Sequence, residues 1–249
     1  MNQVIHGDCL EVMPTIPDKS IDMILCDLPY GTTACKWDTV IPFEPLWKEY
    51  KRLIKDNGAI VLTASQPFTS VLICSNLEMF KCEWIWEKNR GSNFANLKTS
   101  PFKEHESVLV FAKKIEVFNP QKQKRSESGR SRANYSFQDN GGGEAIGVII
   151  GTGERRNIER DMRHPGSIQK FNTEVGLHPT QKPVALFEYL IKTYTNEGEV
   201  VLDNCAGSGT TAIACLNTNR NYILIEKEKE YIDIINKRIA EHEQQLALC

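Results

Sequence analysis

Ile21-Asp22-Met23-Ile24-Leu25-Cys26-Asp27-Leu28-Pro29-Tyr30 is the stretch that decides how this chain folds and where its chemistry lies. A short apolar run stopped by a proline turn reads as a strand buried on both faces, as in parallel sheets. It ends by delivering an acid, a proline and an aromatic ring. The Asp27 carboxylate and the Leu28 carbonyl before Pro29 can both accept hydrogen bonds from one amino group. The Tyr30 ring can stack on the heterocycle that carries that group. Such equipment fits an exocyclic amine on a planar base.

Far downstream, Val200-Val201-Leu202-Asp203-Asn204-Cys205-Ala206-Gly207-Ser208-Gly209-Thr210-Thr211 reads as a strand, a glycine-rich turn and a helix start. Glycines let a backbone approach a ligand closely, and a helix N-terminus favours electron-rich groups. A second apolar strand, Tyr222-Ile223-Leu224-Ile225, ends in Glu226, whose carboxylate is placed to bind ribose hydroxyls by the logic of dinucleotide sites. No lysine follows the glycine turn as a P-loop requires, which argues against a P-loop.

These segments resemble the amino-group DNA methyltransferases. Asp27-Leu28-Pro29-Tyr30 looks like their catalytic tetrapeptide, usually Asp/Asn/Ser-Pro-Pro-Tyr, with Leu28 in place of the commoner proline. The resemblance implies that the backbone carbonyl at this position does the work. Residues 203–210 resemble the S-adenosylmethionine loop, Asp-Pro-Phe-x-Gly-Ser-Gly-Thr. It makes Asp203, Cys205, Gly207, Ser208, Gly209 and Thr210 cofactor residues, with Asp27 and Glu226. Asn204 and Cys205 replace the usual Pro and Phe, which removes an apolar contact and implies lower cofactor affinity. His6-Gly7-Asp8-Cys9-Leu10 resembles the cofactor-adenine loop, with Asp8 the partner of the adenine amino group and Cys9 beside it. His178-Pro179-Thr180-Gln181-Lys182-Pro183 resembles the segment that closes over the cofactor, and brings in Lys182. Trp84-Ile85-Trp86-Glu87-Lys88 and His105-Glu106-Ser107-Val108-Leu109-Val110-Phe111 resemble the strands flanking the substrate cleft. Catalytic motif first, target recognition second and cofactor loop last is the β-type order.

The remaining sequence agrees with that fold. The 249 residues allow one large α/β core with an insertion. Strand-like runs at 22–26, 59–63, 83–87, 107–112, 200–203 and 222–226 alternate with helix-like segments at 43–55, 67–78, 184–195, 209–217 and 228–245. Asn57-Gly58 reads as the stop of the first helix. The alternation predicts a Rossmann-like, mostly parallel, doubly wound sheet with ligands beyond the strand carboxyl ends. No apolar run approaches membrane-spanning length, and the N-terminus lacks a signal-peptide pattern. The eight cysteines form no Cys-x-x-Cys pair and no Cys/His cluster. Cys26 and Cys74 read as buried thiols, no metal site is indicated, and a reducing, cytoplasmic setting is expected.

Residues 113–170 break the rhythm between a catalytic half, 1–112, and a cofactor half, 171–249. They hold 12 Lys and Arg against 7 Asp and Glu, while the rest of the chain holds 18 against 25. Composition alone reads as a solvated loop. Its position between the two halves points to a partly flexible, DNA-contacting insertion. Arg125, Arg130, Arg132, Arg155, Arg156, Arg160 and Arg163 are the candidates for phosphates and guanine edges. The resemblance then implies methyl transfer from S-adenosylmethionine to a flipped-out base of double-stranded DNA by direct displacement. Aspartate at the first motif position accompanies adenine N6 in this family, with cytosine N4 the alternative. A DNA-binding protein with a degenerate methylase fold is a second alternative, resting on Asn204-Cys205. The family also admits a homodimer and a cognate restriction endonuclease as partners.

Overall fold

The computed structural model describes residues 2–33, 35, 38–94, 97–127, 161–174 and 181–247. Its organising element is an eight-stranded sheet in the order β1-β10-β9-β2-β3-β5-β4-β8. The strands are β1 (Gln3–His6), β2 (Ile21–Asp27), β3 (Ile54–Ala64), β4 (Phe80–Ser92), β5 (Lys103–Phe111), β8 (Ile168–Phe171), β9 (Val200–Asp203) and β10 (Asn221–Glu226). Every neighbouring pair is parallel except the two that β5 makes, with β3 and with β4. The mostly parallel sheet expected from the alternating pattern is therefore what forms.

Strand β2 shows why the sheet needs cover on both faces. Its first six residues are all buried. Ile24 and Cys26 point into one core, Met23 and Leu25 into the other. The first core is closed by α1 (Cys9–Val12), α2 (Phe43–Leu53) and α3 (Phe68–Ser75), through side chains such as Cys9, Trp47, Tyr50 and Phe68. The second is closed by α4 (Val184–Tyr194), α5 (Thr210–Asn217) and α6 (Lys229–Ala247), through Phe187, Ile191, Ala212 and Ile235. A strand with period-two alternation and no polar face is stable only between two helical layers.

The helix-like segments exist, four of them with shorter bounds and the last running on to Ala247, and three corrections follow. The first helix ends at Leu53, and Ile54 already has extended dihedrals (φ −69°, ψ 133°), so Asn57-Gly58 does not stop it. Instead the β2–β3 register jumps from Ile21↔Ile54 to Met23↔Ala59, and Gly58 lies in the resulting bulge. A Cβ at Gly58 would lie 2.6 Å from the Asp22 carbonyl oxygen and 2.8 Å from Ile54 Cδ1. Close approach of two backbones explains this glycine, not helix termination. Cys74 is exposed, because the helical spacing that buries Leu72 turns it outward, whereas Cys26 is buried as expected. Third, Ile168–Phe171 pairs with Ile85–Lys88 of β4, so this end of the expected insertion belongs to the sheet. Strand β1 also escaped the sequence reading, being only four residues long with two of them exposed.

Two compact units are present: Met1–Asn119 with Ser167–Cys249, and Pro120–Gly166. In the second, β6 (Gln123–Lys124) and β7 (Met162–Arg163) form a two-stranded antiparallel ribbon. No helix among the described residues is long and apolar enough to cross a membrane.

The bulge yields a stability prediction. Gly58→Ala must displace backbone, not a flexible side-chain end. It is expected to destabilise the protein by about 1–3 kcal/mol, measured as a shift in the urea midpoint at unchanged slope.

Candidate active site

Parallel packing of β2 against β9 brings two distant motifs to one rim. Met23 pairs with Val201 and Ile24 with Leu202, so both strands end at the same edge. A cleft of about 850 Å³ opens there, lined by Asp27–Tyr30, by Gly7–Leu10, by Asp203–Ser208 and by Glu226. Trp86, Lys88, Glu106 and Lys182 complete the wall.

Asp27 is held from three sides in the cleft. Its Oδ1 accepts from the Tyr30 hydroxyl at 2.7 Å and from the Thr63 hydroxyl. Its Oδ2 accepts from Lys182 Nζ at 2.5 Å. An ionised carboxylate offers about four lone-pair sites, so three donors leave room for one more. Tyr30 stacks on Phe68 with centroids 5.2 Å apart, and Lys182 Nζ lies 5.6 Å from the Tyr30 centroid. Burial pushes the Tyr30 hydroxyl well above its usual range, and the Asp27 charge adds to this, so it stays a neutral donor. Leu28 is buried in the first core and still borders the cleft.

Lys182 is buried between two acids. Glu106 Oε2 lies 3.6 Å from its Nζ, and Glu106 Oε1 accepts from Lys88 Nζ. Lys88 in turn lies 4.9 Å from the centre of the Trp86 ring. Burial pulls the Lys182 ammonium down, but Asp27 and Glu106 outweigh it and raise it on balance. Sequence reasoning placed Lys182 with the cofactor, put Lys88 and Glu106 in the segments flanking the cleft without giving either a role, and passed over Thr63. An acid just before an apolar run, as in Glu106-Ser107-Val108-Leu109, was the available signal.

The cofactor motif is built as a turn held by carboxylates. Asp203, 3% exposed, accepts from the Cys205 amide at 3.1 Å and the Thr211 hydroxyl at 2.5 Å. Glu226 accepts from the Gly207 amide at 2.7 Å and the Glu228 amide at 2.8 Å. Burial raises both carboxyls, that of Asp203 to about 6. Gly209 is left-handed (φ 79°), and a Cβ there would meet Ile235 at 2.9 Å. Ser208 and Thr210 are buried in the same turn, the Thr210 hydroxyl donating to the Lys182 carbonyl at 3.3 Å. Asp8 caps α1 through the Leu10 amide at 2.9 Å, and Cys9 is buried beside it.

Asn204 and Cys205 depart from the motif without leaving a gap. Tyr50, fully buried, donates to Asn204 Oδ1 at 2.6 Å. Cys205 packs against the first core, and hydrogen bonding with Cys26 and Cys9 together with burial holds its thiol well above the usual range. A further loop anchor escaped the sequence reading: Asp38 accepts from the amides of Gly31, Thr32 and Thr33 at 2.8, 2.9 and 2.6 Å. Of the insertion arginines, Arg125 donates to the Met162 carbonyl at 2.8 Å, and Arg163 is exposed with Gln123 Oε1 at 3.4 Å. Arg130, Arg132, Arg155, Arg156 and Arg160 lie outside the described residues, as do His178, Pro179 and Thr180.

The model of a family described as DNA methylase, covering N6 and N4 enzymes, matches residues 21–237. The chain belongs to that family. It is similar to the DNA adenine methyltransferase YhdJ of Escherichia coli (strain K12), 30% identical over 95% of this chain and 82% of the relative. It is 28% identical to the type II methyltransferase M.HinfI of Haemophilus influenzae, over 97% and 69%. Among solved structures, M1.HpyAVI in complex with S-adenosylmethionine matches at TM-score 0.65 and 27% identity, over 96% of this chain and 99% of that one. The cytosine-N4-specific PvuII DNA methyltransferase matches at TM-score 0.66 and 14% identity, over 98% and 92%, which shows a common fold. The expected Rossmann-like methyltransferase architecture and β-type motif order therefore stand, and the DNA methylase is an amino-group enzyme.

The raised Asp203 carboxyl gives a pH prediction. Held near 6 in the fold against an ordinary 3.8, it keeps its proton longer there than in the unfolded chain. Its stabilising effect is full below the ordinary value and is lost as pH rises through about 6. Asp203→Asn removes that dependence. Between about pH 4 and pH 7, the stability difference should move about 2 kcal/mol in the variant's favour, read from urea melts of both proteins across that range.

Proposed function

We propose that this DNA methylase transfers a methyl group from S-adenosylmethionine to the N6 amino group of adenine in double-stranded DNA, within a specific sequence and on a flipped-out base. The observation that carries the reading is the Asp27 carboxylate, held by Tyr30, Thr63 and Lys182 at the rim shared with the glycine loop. The aspartate at this position and the adenine specificity in the name of the E. coli relative support adenine over cytosine.

The residues present fit the cofactor. Asp8, Asp27, Asp203 and Glu226 border the cleft with carboxylates, which suits a ligand carrying a sulfonium and an ammonium. Asp8 and Cys9 would flank its adenine, Glu226 would take its ribose, and Asp203, Cys205, Gly207, Ser208, Gly209 and Thr210 would shape the turn around it. When bound, S-adenosylmethionine supplies an activated methyl whose thioether leaves without protonation.

The protein's own part is acceptor placement. A base amino group is a poor nucleophile because its lone pair is delocalised into the ring. Asp27 and the Leu28 carbonyl, accepting hydrogen bonds from its two N–H groups, draw the nitrogen towards a tetrahedral shape with its lone pair free. Once that lone pair has bonded the methyl and the methyl–sulfur bond has broken, the cationic nitrogen gives up one of its two protons by way of Asp27 to solvent. Lys182 holds Asp27 through Oδ2, and Tyr30 and Thr63 hold it through Oδ1, so the carboxylate is fixed in direction. Tyr30, steadied by Phe68, offers a ring for the base to rest on. Pro29 fixes the turn that aims the Leu28 carbonyl. Binding to phosphates falls to the basic insertion, including Arg125, Arg130, Arg132, Arg155, Arg156, Arg160 and Arg163, and the setting is that of the DNA, the cytoplasm.

Incubating the protein with labelled S-adenosylmethionine and duplex DNA, then hydrolysing to nucleosides, tests the reading. N6-methyladenine is expected; N4-methylcytosine would correct the base, and unlabelled DNA would sink the assignment. Asp27→Ala is expected to abolish transfer while leaving cofactor binding within about tenfold; near-normal turnover would remove Asp27 from catalysis. Glu226→Ala should weaken cofactor binding by roughly 1.5–3 kcal/mol, and calorimetry showing no change would place the ribose contact elsewhere.

A further inference from the structure

The tip joining β4 to β5 is not explained by the core or by the chemistry. Residues 90–103 carry Arg90, Lys98 and Lys103 and no acidic residue, in a chain whose net charge is −2. Among the described residues none of the three makes an ion pair. Beyond Glu87 the ladder becomes irregular, and Ser92 pairs with Lys103. Asn93, left-handed at φ 81°, closes the tip. Its Oδ1 accepts the Lys103 amide at 2.9 Å, and its Nδ2 donates to the Pro101 carbonyl at 3.0 Å.

Two rings are held on this tip. Phe102 lies over the bare Gly91, where a Cβ would come within 2.3 Å of the ring. Phe94 meets Phe102 edge-on, with centroids 5.0 Å apart, and is itself 68% exposed. Leu97 and Phe102 are exposed on the same tip, and a group of exposed apolar side chains beside a cleft marks a contact surface. Its position says for which partner. Arg90, Gly91, Phe94 and Lys103 border the same cleft as Asp27 and Tyr30.

We propose that this hairpin is a second DNA-contacting element, separate from the basic insertion. Phe94 stacks on the bases beside the target, filling the gap that opens when the target base leaves the helix. Arg90 and Lys98 pair with the flanking phosphates. A polyanion with stacked π faces matches both halves of the surface, positive charge and an exposed ring. Unstacking one base is costly, and an inserted apolar side chain offsets part of that cost. The proposal rests on the DNA substrate argued above.

The test is fluorescence anisotropy on a duplex of about thirty base pairs containing the methylated sequence, at several salt concentrations. Phe94→Ala should weaken binding roughly ten- to a hundredfold. The Arg90→Ala/Lys98→Ala double variant should reduce the log–log salt slope by about two units. Cofactor affinity and melting temperature should stay at wild-type values, which separates lost contact from lost fold. Unchanged DNA affinity in the Phe94 variant overturns the proposal. So does a dimer that becomes monomeric in that variant while still binding DNA as tightly, which would assign the ring to a subunit contact. If the wild type transfers no methyl to DNA, the substrate reading fails; if it does and the variants bind equally well, only the hairpin is excluded.

Discussion

Everything at the cleft depends on the parallel hydrogen bonding of β2 between β3 and β9. Asp27 pairs with Thr63 on one side, while Met23 and Ile24 pair with Val201 and Leu202 on the other. Parallel neighbours share a direction, so their carboxyl ends open at the same edge. The acid that ends β2 thus comes to a hydroxyl of β3 and to the turn that follows β9. Reversing either pairing would carry Thr63 or the glycine loop to the opposite edge of the sheet.

That position is electrostatically demanding. Lys182 and Glu106 are both largely withdrawn from water, with side-chain exposures of 6% and 13%. Ions taken out of water lose hydration worth several kcal/mol each unless partners replace it. Here the charges alternate from Asp27 through Lys182 and Glu106 to Lys88, so each ion faces one of opposite sign. Such a chain adds little net stability compared with apolar packing. Its effect is to fix the orientation of the Asp27 carboxylate at the rim of the cleft. The glycine loop shows the same economy, since the carboxylates that border the cleft also hold its backbone amides.

The motif departures have a similar logic. Where the family usually has Pro and Phe, the chain has Asn204 and Cys205, and both find partners in this fold. Asn204 occupies a buried site because Tyr50, on α2, supplies a donor. Replacing either partner alone would leave a buried polar atom without a hydrogen bond, at about 1–3 kcal/mol. The sequence difference therefore reflects a repacked turn and gives no support to a degenerate cofactor loop.

The sequence by itself determined the strands and turns of the core. The continuous apolar run Met23–Cys26, the break at Pro29 and the glycine pair at 207 and 209 are local signals, because pleat and turn geometry span only a few residues. The same local rules misled at Gly58, where helix stop and strand bulge call for the same residue, and at Cys74, where an apolar neighbourhood did not reveal which way the helix faced. They were silent on Glu106 and on the true partner of Lys182. Lys182 meets Asp27 across 155 residues of chain, and Tyr50 meets Asn204 across 154. Only the tertiary structure decided those contacts, because which buried charges face one another follows from strand order and helix cover, and no local spacing encodes either.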